Sequence, residues 1–391
     1  MEFAPNFLQN SNSQENKTTI MDTGNIRSRL KHLRERRHIS QEALAEQLGF
    51  KDRQSLSTVE LGDRKLTADE LLRAANYFGV AIDYFTDPLE LAGEGNFSWR
   101  QRGAVNAALD SFEIKAGRWI AAYRHLSQLK GTPVNSAMRR VALTAKSSYE
   151  DAQAEGEVIS KALQLGDVPG SRLVDELEQA LDTLVLHVDT IAGVSGAACQ
   201  LAQLNCILIN RRESEFRRNF DAVHEFFHLL TWAEMPPQRI EVERPNNSRD
   251  KRIEQLADNF AGGMLMPKEV VNSILAKNPL PKETNIASWL IPVAAHLQVS
   301  RSALMWRLVA LRHMSKAAAD RICDEVGTPT PQNGPSAGLP PQFSRRFMDT
   351  VGWGIDQGHL SARRAAILLD MTLDDLATLF SEHGLKTPFD L

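Results

Sequence analysis

The sequence predicts a multidomain, mainly α chain that carries a small α+β unit behind an all-α N-terminal domain. Three observations carry this reading. At 391 residues the chain is longer than one hydrophobic core usually serves. Apolar residues recur near helical spacing over much of its length, as in Ile26, Leu30 and Leu33, or Trp99, Leu109, Phe112, Trp119, Tyr123 and Leu126. Strand-like patterns are confined to two short runs, LVLHVDT (Leu184 to Thr190) and CILIN (Cys206 to Asn210).

In chain order, residues 1–23 are polar and lack a basic start followed by an apolar run, so they read as a disordered tail rather than a secretion signal. Residues 24–88 form short helical segments punctuated by Gly49, Gly62 and Gly79. Residues 97–165 read as a helical connector, and 166–312 mix strand and helix patterns. The stretch 328–342 is rich in Pro, Gly and Ser, hence a linker, and 343–391 form a small helical module.

Bulk composition narrows the function classes. A net charge of -4 argues against wholesale coating of nucleic acid and leaves room for a local basic patch. Cys199, Cys206 and Cys323 are odd in number and not closely spaced. They read as reduced thiols of a cytoplasmic protein, not a disulfide frame or a cysteine zinc site. No run of eighteen apolar residues exists, so no membrane span is expected.

The segment 24–88 orders its local determinants like a nucleic-acid reader. Ser40 is a candidate N-cap, with Glu42 and Glu46 behind it. Leu44, Ala45 and Leu48 form an apolar stripe that Gly49 ends in a turn. Asp52 is the candidate cap of the next helix, which turns Leu56 and Val59 inward and Arg53, Gln54, Ser55, Ser57 and Thr58 outward. Two short helices across a Gly-bearing turn form a helix-turn-helix unit, whose second helix enters the major groove. Arg and Gln read base edges there, and Ser, Thr and Lys hold phosphate. Gln41, Lys51, Arg53, Gln54, Ser55, Ser57 and Thr58 are therefore the candidate DNA contacts. Basic residues gather in this block, among them Arg27, Arg29, Lys31, Arg34, Arg36, Arg37, Arg64 and Lys65, and supply phosphate attraction. The stretches SQEALAEQLG and ELLRAANYFGVAIDYF resemble the XRE family of helix-turn-helix domains. The turn after Gly49 is one residue longer than that pattern, which shifts the base-reading register.

The second constellation is HEFFH, with His224 and His228 four residues apart and Glu225 between them. At helical pitch both imidazoles fall on one face, where they can share a zinc ion. Burying two rings and a carboxylate costs several kcal/mol each unless partners compensate them. Downstream, RIEQLADNFAGGMLMP reads as a helix ended by Pro267, with Glu254 at the border of its apolar face. Glu254 is the natural third ligand, since two His and one Glu leave a position open as catalytic zinc sites do. A purely structural zinc would need a fourth protein ligand, and none is apparent.

HEFFH followed by IEQLADNFAGGMLMP resembles the ImmA/IrrE family of metallopeptidases over 166–312. The resemblance implies a zincin-like unit with Zn2+ on His224, His228 and Glu254, and Glu225 as general base. Two departures stand out: Phe227 where the family often has Gly, expected to narrow the cleft, and Asp258 where Asn is common, expected to orient a ligand or to add negative charge near the metal. CILIN is expected as an edge strand beside the cleft, to which an extended peptide adds by β-pairing. His187, His296 and His313 are candidates by type alone for the oxyanion stabiliser. Ser288 to Met314 reads as a helical tail packed under the metal helices, with nucleic-acid contact by Arg301 and Arg307 as the disfavoured alternative.

Together these readings predict a regulator that binds a double-stranded DNA operator, as a homodimer, and carries a zinc-dependent endopeptidase. It cleaves itself or a partner repressor or antitoxin under stress. The alternative is a transcription factor whose zinc-bound, peptidase-like half senses a signal without cleaving. The aromatic stripe of Trp99, Trp119 and Tyr123 is expected in the core rather than at a dimer surface.

Overall fold

The computed structural model describes residues 23–91, 95–101, 106–132, 141–201, 203–236, 240–241, 248–281, 285–326 and 338–390. The tail 1–22 and most of the 328–342 linker lie outside the described residues, as does the Cys323 side chain. The chain divides into two compact units, Met1–Pro88 and Leu89–Leu391.

The first unit holds α1 (Thr23–Arg36), α2 (Gln41–Leu48), α3 (Arg53–Leu61), α4 (Ala68–Phe78) and α5 (Asp83–Thr86). The apolar stripes meet in one core of Leu30, Leu44, Leu48, Leu56, Val59, Phe78 and Phe85. Helix ends are closed locally. Ser40 accepts from the Ala43 N–H, Asp52 from the Ser55 N–H, and Thr67 forms a capping box with Glu70. Gly49 ends α2 at φ 75°, a left-handed conformation that side-chain-bearing residues rarely adopt. Arginines close the remaining carbonyls: Arg73 donates to Leu48 O at 3.0 Å and Arg27 to Leu61 O at 2.8 Å.

The second unit begins with β1 (Asn96–Gln101), α6 (Asn106–Leu129), α7 (Tyr149–Ala162), a 3-10 turn and α8 (Leu173–Gln179). Then follow β2 (Thr183–Val188), β3 (Val194–Gln200), β4 (Asn205–Asn210), α9 (Glu215–Thr231), β5 (Ile240–Glu241) and α10 (Ser248–Leu265). The remaining helices are α11 (Lys268–Lys277), α12 (Ile286–His296), α13 (Arg301–Ala310), α14 (Lys316–Val326), α15 (Arg345–Asp356), α16 (Ala362–Leu369) and α17 (Leu373–Glu382).

The strands form one mixed sheet in the order β2-β4-β3-β1-β5. β2 and β4 are parallel, β3 runs antiparallel to both β4 and β1, and β5 is parallel to β1. This corrects the expected place of CILIN. It lies inside β4, paired along its length to β2 on one side and to β3 on the other, so no peptide can add to it. A continuous apolar run suits a strand buried on both faces and flanked on both sides. β1 falls in the stretch expected to be a helical connector. Its partner β3 was not anticipated either, because VSGAACQ is built of small residues with weak strand preference.

Side chains alternate across the sheet and feed two cores. Val185, Ala198, Ile207 and Ile209 face α9 and α10. Leu184, Leu186, Val188, Ala197 and Leu208 face the opposite way, into a core shared by α6 and α15 to α17. Trp99, Trp119 and Tyr123 are buried there, and the Trp119 ring meets Phe343 at 5.1 Å. The C-terminal helices thus cover the same sheet face as α6, rather than standing apart from it.

Candidate metal centre and nucleic-acid interface

α9 starts at Ser214, whose side chain caps the Arg217 N–H, and its apolar face packs on β3 and β4. This pairing buries His224, Glu225 and His228. α10 brings Glu254 opposite them. It is held against α7 at backbone contact: a Cβ on Gly263 would lie 2.2 Å from the Gln153 carbonyl oxygen, and one on Gly156 would lie 2.4 Å from that of Phe260. Tyr149 at the head of α7 donates to Gln255 at 2.5 Å, and Arg252 stacks on the Tyr149 ring at 4.0 Å. Buried Arg307 of α13 donates to Met266 O at 2.9 Å, to Gln153 and to Glu157. Arg307 therefore ties α13 to α7 and has no surface to offer nucleic acid, in keeping with the tail packing under the metal helices.

The three side chains converge. Nε2 of His224 lies 3.2 Å from Nε2 of His228 and 3.2 Å from Glu254 Oε2. Nε2 of His228 lies 3.3 Å from Glu254 Oε1. Donor atoms on a tetrahedral zinc at about 2.1 Å stand about 3.4 Å apart, so the set has the spacing and the nitrogen-oxygen chemistry of a zinc site. Burial pushes the Glu254 carboxyl up, but the two imidazoles outweigh it and hold it well below the usual carboxylate range. Glu254 is thereby held in the carboxylate form, the form a cation requires.

Around this triad the structure sorts the remaining candidates. Asp258, one turn after Glu254, places Oδ1 3.0 Å from the His224 Nδ1 and fixes the ring with Nε2 toward the triad. Phe227 does not narrow a cleft. It is fully buried and packs on the Phe260 ring at 5.5 Å, on the core side of the helix. Glu225 lies against β3, where Gly196 leaves room for it: a Cβ there would stand 3.3 Å from Glu225 Cγ and 3.5 Å from Oε1. Gly196 was missed in the sequence, although a glycine inside a strand is itself a mark of close approach. His187 sits in β2 near Arg218 and His383, His313 bonds Asn272 at 3.1 Å, and His296 is exposed at the end of α12. Their described surroundings do not join them to the triad.

In the first unit, α2 and α3 stand as a helix pair across the Gly49 turn. Lys51, Arg53 and Gln54 are exposed, and Ser55, Ser57 and Thr58 are half-buried along α3. Gln41 accepts from Arg53 Nε at 3.2 Å and donates to Glu60 at 2.7 Å. Glu60 is paired with Arg34 at 2.6 Å, so a chain of polar contacts steadies the start of α3 from beneath. Ser55 Oγ donates to Asp52, and Thr58 Oγ1 donates to Ser55 O, each at 2.8 Å. Several basic residues counted toward phosphate attraction have other work. Arg29 is wholly buried and donates to Tyr84 O and Asp87 O, Arg34 is bound to Glu60, Arg27 donates to Leu61 O, and Arg64 is paired with Glu70. Lys31, Arg36, Arg37, Lys51, Arg53 and Lys65 remain as the exposed basic surface.

Among the described residues, no helix is long and apolar enough to cross a membrane. Residues 30–85 match the helix-turn-helix family, and residues 180–309 match the IrrE N-terminal-like domain of the M78 peptidases. Neither the curated proteins nor the solved structures compared with the chain give a match. The chain therefore joins a DNA-binding helix-turn-helix domain of the XRE type to an IrrE-like domain of the M78 peptidase family.

Proposed function

We propose that the protein is a cytoplasmic transcriptional regulator whose IrrE-like half is a zinc-dependent endopeptidase, acting on itself or on a partner repressor or antitoxin under stress. The observation that carries the proposal is the convergence of His224, His228 and Glu254, whose ligand atoms lie within 4.8 Å of one another beside a buried glutamate. In this reading His224, His228 and Glu254 hold zinc, and Asp258 orients His224. Bound zinc supplies Lewis-acid polarisation of a scissile carbonyl and an acidified water. Glu225 takes the proton of the attacking water and returns it to the leaving amine. The sheet packed on α9 keeps bulk water from Glu225. Arg53 and Gln54 read base edges, with Gln41, Lys51, Ser55, Ser57 and Thr58 placing the helix on the backbone. The domain reads paired half-sites as a homodimer.

A second reading has its own support. β1 pairs along β3 from Asn96 to Gln101, so the strand edge beside Glu225 is already occupied by the chain itself. A closed edge suits a zinc-bound sensor that does not cleave. One experiment separates the two. Zinc-loaded wild type and Glu225→Gln are incubated alone and with the regulator encoded beside the gene, and the products are followed by mass spectrometry. The protease reading expects a cleavage product from wild type only, with zinc content and DNA affinity equal in both. Intact protein throughout, with operator affinity that changes on zinc loading, would sink it in favour of the sensor.

A further inference from the structure

Leu61 closes α3 with a side chain 67% exposed, the most exposed large apolar residue described in the first unit. A scattered apolar residue on a surface is ordinary, but this one has a specific address. It follows Gln54 by seven residues, which on an α-helix is two turns and only about 20° of rotation. Leu61 therefore continues the line of Gln54 and Thr58 on the outward side of α3. The character of that line changes along its length. At its head Arg53 and Gln54 are exposed and polar, with Arg53 steadied through its Nε by Gln41. Further on, Thr58 has already given its hydroxyl proton to Ser55 O, and Leu61 has none to give. The end of the helix is also fixed, because Arg27 Nη1 donates to Leu61 O at 2.8 Å and its guanidinium fills the space over Gly62.

We propose that Leu61 reads the C5-methyl group of a thymine in the major groove. The inference rests on the reading of α3 as the recognition helix and extends it. Thymine is the one base that presents a methyl group in that groove, and apolar side chains discriminate it by contact. The rise from Gln54 to Leu61 is about 10 Å, so the thymine is a different base from the one read by Gln54.

The test uses the full-length chain and a duplex selected by it from a random pool. Each thymine of that duplex is replaced in turn by deoxyuridine, which removes the methyl and leaves pairing intact. Affinities are measured for wild type, Leu61→Ala and the Arg53→Ala/Gln54→Ala double variant. One deoxyuridine position is expected to weaken wild type about fourfold, the worth of one buried methyl group. Leu61→Ala is expected to bind the unmodified duplex about fourfold less well and to ignore that same replacement. Melting curves equal to wild type are expected, since the side chain is exposed. Equal deoxyuridine sensitivity in Leu61→Ala and wild type at every position overturns the proposal, as does indifference of wild type to all of them. If the double variant keeps full sequence preference, or if the chain selects no duplex, the recognition-helix reading itself falls and takes this inference with it. A double variant that loses preference beside an unaltered Leu61→Ala sinks the inference alone.

Discussion

Asp258 and His224 meet across two helices, with Oδ1 of the aspartate 3.0 Å from Nδ1 of the imidazole. α10 thus supplies both the Glu254 carboxylate and, one turn later, the group that aims its neighbour's ring. Outer partners of this kind set the tautomer and orientation of a ligand and are worth about 10- to 100-fold in metal affinity. Asp258→Ala is expected to lower zinc affinity by that factor in a chelator competition, with the fold intact by circular dichroism. Asp258→Asn keeps an accepting oxygen and is expected to fall between. Zinc affinity unchanged in Asp258→Ala would show that the ring is held without it.

The α7–α10 contact makes a prediction at a distance from the triad. Gly263 packs against the Gln153 backbone so closely that an added methyl would meet a carbonyl oxygen at 2.2 Å. A backbone atom cannot step aside as a side-chain tip can. Gly263→Ala is expected to cost on the order of 3 kcal/mol in unfolding experiments. It should also weaken zinc binding, because α10 must move away from α7 and carries Glu254 with it. Gly262→Ala, with nothing within 4 Å of its added methyl, is the matched control and is expected to stabilise by about 0.5–1 kcal/mol, the preference for Ala over Gly inside a helix. Equal stability of the two variants would refute the clamp.

His187 predicts an acid-side loss of stability. Burial, then the nearby Arg218 and His383, push its imidazole down from 6.5 to about 4. The unfolded chain takes up a proton as pH falls through 6.5, while the folded chain resists until about 4. The stabilising preference for the neutral ring is therefore complete above pH 6.5 and is lost as pH falls toward 4. About 2 kcal/mol of it is gone by pH 5. Denaturant unfolding of wild type and His187→Gln at pH 7.5 and 5 checks this, since the variant is expected to lose about 2 kcal/mol less across that interval. Parallel losses in both proteins would place the acid sensitivity elsewhere.

Much of the candidate site was readable in one dimension because its parts are local. The i, i+4 spacing of His224 and His228 puts both on one helix face whatever the fold. Ser40, Gly49 and Asp52 bound their helices by hydrogen bonds that span only a few residues. Glu254 was legible as a polar residue on the border of an apolar face, a pattern internal to α10. Two arginines of the first unit were misread for the converse reason. Arg29 and Arg34 look like free phosphate contacts in sequence, but each is fixed by partners that lie tens of residues away: Tyr84 and Asp87 for the one, Glu60 for the other.

The chain's own order of residues determined which helices form, where they stop, and that two imidazoles and a glutamate are available for a metal. Tertiary structure alone decided that CILIN is walled in between two strands, that residues 96–101 complete the sheet beside Glu225, and that α7 presses α10 into place through two glycines. The division has a simple cause. Capping and helical periodicity are satisfied within a few residues, whereas strand partners and glycine-to-backbone contacts join segments far apart in the chain, and nothing in the local pattern of either segment names the other.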